Sequence, residues 1–237
     1  MLSDALVLQE VDSRGVLTLT LNRPQAFNSL SEAMLESLQA ALDEAAANDR
    51  LRAVVIAAAG KAFCAGHDLK EMRAEPSLAY YEKLFAQCGR MMMTVQQLPV
   101  PVIARVQGIA TAAGCQLVAM CDLAVAARDA RFAVSGVNLG LFCSTPSVAL
   151  SRNVPRKVAF EMLVTGDFIS ADEAREKGLV NRVVDATELD AEIERLVARI
   201  ASKPRAAQFK KEIVTYKRAD GVLLSGTLYY QIGRAHV

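Results

Sequence analysis

Residues 53–58, Ala-Val-Val-Ile-Ala-Ala, run without a polar side chain and stop just before Gly60. A strand with one face in water alternates apolar and polar residues, so an unbroken run predicts a strand covered on both faces, as in a parallel sheet. Val102 to Val106, interrupted only by Arg105, and Leu123 to Ala127 are read as further runs of this kind. Between the first two lie a glycine-containing loop, Lys61 to Arg73, and a helical stretch, Leu78 to Leu98, stopped by Pro99 and Pro101. A short helical segment near Gly114 precedes the third. Parallel neighbours need crossover connections, so this alternation predicts an α/β fold.

The flanks add local signals. Val16-Leu-Thr-Leu-Thr-Leu21 has the period of a half-buried strand, predicts a hairpin with Leu6 to Val11, and ends at Asn22-Arg23-Pro24. Ser29-Leu-Ser-Glu32 has capping-box spacing, followed by Met34, Leu35, Leu38, Ala41, Leu42 and Ala45 on one helical face. From Pro146 onward the pattern is helical: Arg156 to Val164, a capping box at Ser170-Ala-Asp-Glu173, a C-cap at Gly178, and Glu188 to Ala201. A short strand is expected at Val180 to Val184, and helix again on to Tyr230. The expected division is a core over 1–185 and a helical oligomerisation region over 186–237.

Charge and composition narrow the function. Lys and Arg number 27 against 26 Asp and Glu, which lacks the excess a nucleic-acid binder needs, and 52% hydrophobic residues argue against disorder. No apolar run approaches the roughly 20 residues that cross a bilayer. The amino terminus carries no leader pattern, which predicts a cytoplasmic protein, or a mitochondrial one in a eukaryote. Five cysteines without a Cys-x-x-Cys pair point to a reducing compartment, and two histidines give little basis for a metal site, so none is expected.

No Gly-x-Gly-x-x-Gly, P-loop, Gly-x-Ser-x-Gly or His-Glu-x-x-His motif is present. What remains are two glycine loops, Lys61-Ala-Phe-Cys-Ala-Gly-His-Asp-Leu-Lys-Glu-Met72 and Gln107-Gly-Ile-Ala-Thr-Ala-Ala-Gly-Cys-Gln-Leu117, each leaving a buried strand for a helix. Such loops either aim backbone N–H groups at an anion or developing oxyanion, or simply permit close packing.

Taken together, KAFCAGHDLKEM, PVPVIARVQGIATAAGCQLVAMCDLAVAA, TGDFISADEAREKGLVNRVV and the earlier NRPQAFNSL resemble the enoyl-CoA hydratase/isomerase (crotonase) family, in its order and spacing from Val16 to about Ile200. GHDLKE, ATAAGCQLVA and GVNLGLFCSTPSVAL with VPRKVAFEML resemble one subgroup of it. The resemblance implies a spiral of strand-strand-helix turns ended by helices that pack subunits into homotrimers or hexamers. It implies an acyl-CoA thioester as ligand, with coenzyme A carried by the substrate and no separate cofactor.

In the family two peptide N–H groups grip the thioester oxygen, and the matching residues are His67 and Ala113. Substrate contacts are implied for Ala26, Gly66, Asp68, Leu69, Lys70, Gly114 and Gln116. Arg23 and Lys70 are either phosphate contacts or solvated surface cations. The His67 imidazole either transfers a proton or lines the pocket. The two hydratase glutamates align with Gln116 and Gly136, neither of which exchanges a proton, so ordinary hydration is doubtful. Isomerisation, decarboxylation, or acyl-CoA binding without turnover remains open. Restoring glutamate at both positions is expected to create some hydratase turnover. Cys143 reads as a small apolar residue in preference to a thiolate, and Glu71 as a surface residue. A ClpP-type protease is a third reading, disfavoured because this sequence offers no credible Ser-His-Asp set. Family members continue with a last helical segment that helps cover coenzyme A. Ile232 to Val237 here matches a translated sequencing adapter, so truncation is expected and His236 is given no role.

Overall fold

The structure, a computed structural model, describes residues 5–203 and the strand segments 209–217 and 223–231. The opening hairpin pairs β1 (Val7–Val11) antiparallel with β2 (Val16–Leu21). Helix α1 (Glu32–Ala47) crosses to β3 (Ala53–Ala58), parallel to β2. Helices α2 (Leu69–Ala74) and α3 (Leu78–Gln97) lead to β4 (Val102–Val106), parallel to β3.

The chain then repeats a unit of long-sheet strand, short-sheet strand and helix. The first is β4, β5 (Ile109–Thr111) and α4 (Ala113–Met120); the second is β6 (Leu123–Ala127), β7 (Arg131–Ala133), α5 (Ser144–Asn153) and α6 (Arg156–Thr165). β8 (Ile169–Ser170), α7 (Ala171–Glu176) and β9 (Arg182–Val184) complete the spiral before α8 (Leu189–Ala201). The main sheet has the order β1-β2-β3-β4-β6-β9 and the second β5-β7-β8. This is the α/β spiral of strand-strand-helix turns implied by the resemblance.

Packing explains why β3 contains no polar residue. In β3, Val54, Ile56 and Ala58 join the main core, whereas Ala53 and Val55 pack with Leu189, Ile193, Leu196 and Val197 of α8. Burying each larger aliphatic side chain contributes about 1.5–3 kcal/mol, so either parity of the strand punishes a polar substitution. The expected stripe on α1 is buried in full, and Ser170 with Glu173 forms the reciprocal capping box.

Several expectations are revised. Ser31, not Ser29, caps α1 by accepting the Met34 N–H at 3.1 Å, because Ser29 is turned toward Arg23 and Asp68. The first loop ends at Asp68 and not at Arg73, since the Asp68 carboxylate caps α2. The short strands β5 and β7 were not anticipated; three residues are too few to display alternation. Beyond α8 the expected helix to Tyr230 is replaced by strands, β10 (Phe209–Lys217) paired antiparallel with β11 (Leu223–Gln231). Ile213-Val-Thr-Tyr216 and Thr227-Leu-Tyr-Tyr230 are β-branched or aromatic for the most part, and these types favour a pleated surface. Among the described residues the helical part of the 186–237 region is therefore α8 and the 3-10 turn before it, Ala186–Glu188. Residues 232–237, His236 included, lie outside them. No helix among the described residues is long and apolar enough to cross a membrane.

Candidate active site

The segment after β2 is pinned by Asn28. This side chain is fully buried, adopts a left-handed backbone at φ 52°, and donates to the carbonyls of Ala59 and Ala62 at 2.9 Å each while accepting the Arg23 N–H at 2.9 Å. Asparagine tolerates this backbone region better than most L-residues. The loop at 65–68 lies parallel to it: Leu30 N–H donates to Gly66 at 2.8 Å, and Asp68 N–H donates to Leu30 at 3.3 Å. Because Leu30 bonds the residues on either side of His67, the His67 N–H faces the opposite edge. Cys64 occupies that edge earlier, accepting from Thr111 and donating to Ile109 of β5. The free edge at His67 is therefore turned toward the start of α4.

Ala112 makes the turn into α4 with φ 50° and ψ −120°, an uncommon conformation for an L-residue. Its N–H is spent on Ala133 at 2.9 Å, and its turn presents Ala113 N–H as the first donor of the helix. Neither His67 N–H nor Ala113 N–H meets a backbone acceptor among the described residues. Two glycines bring the loops this close. A β-carbon on Gly66 would sit 3.3 Å from the Ala113 nitrogen, and one on Gly114 would sit 2.2 Å from the Cys64 carbonyl oxygen.

His67 and Ala113 both line one cavity of about 710 Å³. Of the residues singled out from the sequence, Ala26, His67, Asp68, Leu69, Lys70 and Ala113 line it, as do Arg23, Gly136, Cys143 and Ser144. Gly66, Gly114 and Gln116 do not. The glycines are consumed in loop-to-loop packing, and Gln116 is buried behind the wall with Oε1 lacking a partner. Sequence reasoning also missed the apolar wall of Met72, Tyr81, Phe85, Leu141 and Phe142. Tyr81 and Phe85 are one turn apart on α3 and each follows a residue of its buried stripe, Tyr80 and Leu84, a spacing that was there to be read.

Charges in the cavity are already committed. Arg23 donates to Asp68 at 2.6 Å, and Asp68 also accepts the Lys70 N–H at 2.9 Å. Burial alone would raise the Asp68 pKa, but Arg23 and the amides of Lys70 and Glu71 more than reverse it, leaving the carboxyl below its ordinary range. Arg23 is thus drawn to Asp68, and Lys70 and Arg73 are the other cations of the lining. Burial lowers the His67 imidazole to about 4, against the opposing pull of the Leu30 carbonyl. Burial raises the Cys143 thiol, so a thiolate is disfavoured. Glu71 accepts the Glu32 N–H at 3.0 Å, outside the cavity lining. Among the described residues no group of three or more His, Cys, Asp or Glu could hold a metal.

At Gly136 a β-carbon would fall 2.4 Å from the Leu141 carbonyl oxygen and 2.7 Å from Cys143 Sγ. A glutamate there meets backbone, so restoring it is not the simple repair anticipated from the sequence.

The sequence profile of the enoyl-CoA hydratase/isomerase family matches residues 12–222. Human mitochondrial enoyl-CoA hydratase domain-containing protein 3 is 47% identical over 223 residues, covering 94% of this chain and 73% of the human protein. The crystal structure of the human domain-containing protein 3 superposes with a TM-score of 0.80 at 49% identity, over 83% of this chain and 78% of that one. That of an enoyl-CoA hydratase from Mycobacterium smegmatis superposes with a TM-score of 0.84 at 72% identity, covering 85% and 79%. The subgroup likeness of GHDLKE and ATAAGCQLVA is thereby accounted for.

Proposed function

Because this chain belongs to the enoyl-CoA hydratase/isomerase family, we propose that it is an acyl-CoA protein of fatty-acid metabolism that polarises a thioester carbonyl between the N–H groups of His67 and Ala113. One observation carries the reading: His67 and Ala113, from separate loops packed together through Gly66, line one cavity, and neither N–H meets a backbone acceptor among the described residues. Donors fixed before reaction stabilise an enolate oxygen without reorganising, and losing one typically costs about 3–4 kcal/mol. Both are main-chain groups, so a histidine in one loop and an alanine in the other serve equally well.

Ala26, Asp68, Leu69 and Lys70 flank the opening where the coenzyme A portion would lie, with Lys70 as its electrostatic contact. Gly66 and Gly114 shape the donors, and Gln116 backs the wall. Coenzyme A arrives with the substrate. Homotrimers or hexamers are the assembly we propose.

The chemistry favoured is formation of a thioester enolate, as in isomerisation or decarboxylation. Ordinary hydration is disfavoured because a positioned acid or base contributes about 10²- to 10⁴-fold and neither Gln116 nor Gly136 supplies one. The same two positions favour a second reading, a silent member that binds acyl-CoA or partner subunits for regulation. Calorimetric titration with saturated acyl-CoAs of several lengths, followed by deuterium uptake at the α-carbon in heavy water, separates them. Binding with exchange supports the enolate reading and binding without it the silent one; failure of both sinks the acyl-CoA assignment.

A further inference from the structure

We infer that the imidazole of His67 is the base that removes the α-proton of the bound thioester; the inference rests on the acyl-CoA reading above and adds to it a side-chain role.

The cavity offers few alternatives. Asp68 is held by Arg23 at 2.6 Å and by the Lys70 N–H at 2.9 Å, and lies below its ordinary pKa. Tyr81 O–H donates to the Met72 carbonyl at 3.1 Å. Cys143 is kept as a thiol by burial. Arg23, Lys70 and Arg73 are cations, and Gln116 lies outside the lining.

His67 differs from all of these. It lines the cavity, and its Nδ1 is sealed from solvent with no hydrogen bond of ordinary geometry. The Leu30 carbonyl favours a proton on the ring, so we place that proton on the sealed Nδ1 and the free lone pair on Nε2. Phe85 stands edge-on to the ring with centroids 5.4 Å apart, and Tyr81 stacks on Phe85 at 6.4 Å, which restricts the imidazole from the α3 side. Covalent geometry adds the decisive constraint. The residue whose N–H holds the thioester oxygen also carries the imidazole, so the base is tethered next to an oxygen only two bonds from the α-carbon.

The proton transfer balances without a co-reactant. The α C–H bond breaks and an N–H bond forms at Nε2. The released electron pair becomes the enolate double bond, and the carbonyl electrons move to the oxygen held by the two amides. Burial keeps the free ring neutral at pH 7, and the enolate charge forming beside it stabilises the imidazolium in a low-dielectric site. Exchange of the new ring N–H with heavy water and return of a deuteron to the same carbon gives α-deuteration; delivery to a conjugated carbon gives isomerisation.

The test uses His67→Ala and His67→Gln, both of which retain the amide N–H. Hexanoyl-CoA binding is measured by calorimetry, deuterium uptake by NMR, and folding by thermal melts. The expected result is binding within about threefold of wild type and exchange reduced by at least about 100-fold, the lower range for a lost general base. Wild-type exchange in a variant that binds normally overturns the inference and leaves the acyl-CoA reading intact. Absence of exchange in a wild type that binds also overturns it, whereas absence of wild-type binding removes the reading beneath it. Should neither variant fold, carbethoxylation of the intact protein decides, since His67 and His236 are its two histidines: exchange lost on modification and protected by hexanoyl-CoA supports the inference, and exchange unaffected by complete modification overturns it.

Discussion

Gly66 stands against Ala113 so closely that a β-carbon would lie 3.3 Å from the Ala113 nitrogen, 3.1 Å from the Thr111 carbonyl oxygen and 2.9 Å from the Ala112 β-carbon. Gly66 also has φ 88°, where an L-residue is strained. Gly66→Ala is therefore expected to destabilise by roughly 2 kcal/mol, through strain and displacement of the second loop. Acyl-CoA affinity should fall more than tenfold, because the displaced second loop carries the Ala113 N–H out of register with that of His67. Chemical denaturation and calorimetric titration read the two effects separately; native affinity in the Gly66→Ala variant would contradict the placement of the oxyanion.

Gly114 and Gly89 give an opposed pair. A β-carbon at 114 would be 2.2 Å from the Cys64 carbonyl oxygen, whereas one at 89, within α3, meets nothing within 4 Å. Gly114→Ala must move backbone, so it should cost about 1–3 kcal/mol or more as an overpacked site. Gly89→Ala should stabilise by about 0.5–1 kcal/mol from helix propensity alone. Urea midpoints of the two variants moving in the same direction would refute this account of how α4 is seated.

Asp68 ties the first loop to the segment before α1 through Arg23, 45 positions away in sequence. Asp68→Asn keeps a helix cap but loses the charge, and with Arg23 partly exposed the expected loss is about 1–2 kcal/mol at pH 7. The folded carboxyl titrates below its ordinary value of 3.8. Its stabilisation is thus fully present above that value and disappears as pH falls through the folded pKa. The stability gap between wild type and variant should hold from pH 7 to 5 and close toward pH 3 in denaturant melts.

The buried strands and the α1 stripe were legible because burial on two faces, or one helical face, leaves a periodic mark at each position. So was the capping box at Ser170, whose partners are three residues apart. The strands β5 and β7 left no such mark: each exists because the other pairs with it, Ala110 opposite Phe132, across a helix and a long strand. The Arg23–Asp68 pair is hidden for the same reason, since topology and not spacing joins it. Ser29 illustrates competition within a signal: two serines could cap α1, and the nearby Arg23 and Asp68 drew one away. In the site, the resemblance selected His67 and Ala113, but only the fold could place Gln116 behind the wall or fill the space beside Gly136 with Leu141 and Cys143.

His67 adds a second, higher pH window. An unfolded histidine titrates near 6.5, and burial holds the folded ring at about 4. Between those values the unfolded chain binds a proton that the folded one refuses, so acidification favours unfolding and stability rises with pH. The ceiling on this effect from pH 7 to pH 4 is about 3 kcal/mol, reduced where solvent reaches the ring. Phenylalanine carries no proton and matches the ring's apolar contact with Phe85. Wild type should therefore lose a few degrees more in melting temperature than His67→Phe between pH 7 and pH 5. Asp68 contributes almost nothing to that comparison, because its window lies below pH 4. His236 is common to both proteins and cancels. Identical melting profiles in the two would mean that the imidazole is already solvated or charged in the folded chain, and a base held neutral beside the thioester would have to be abandoned.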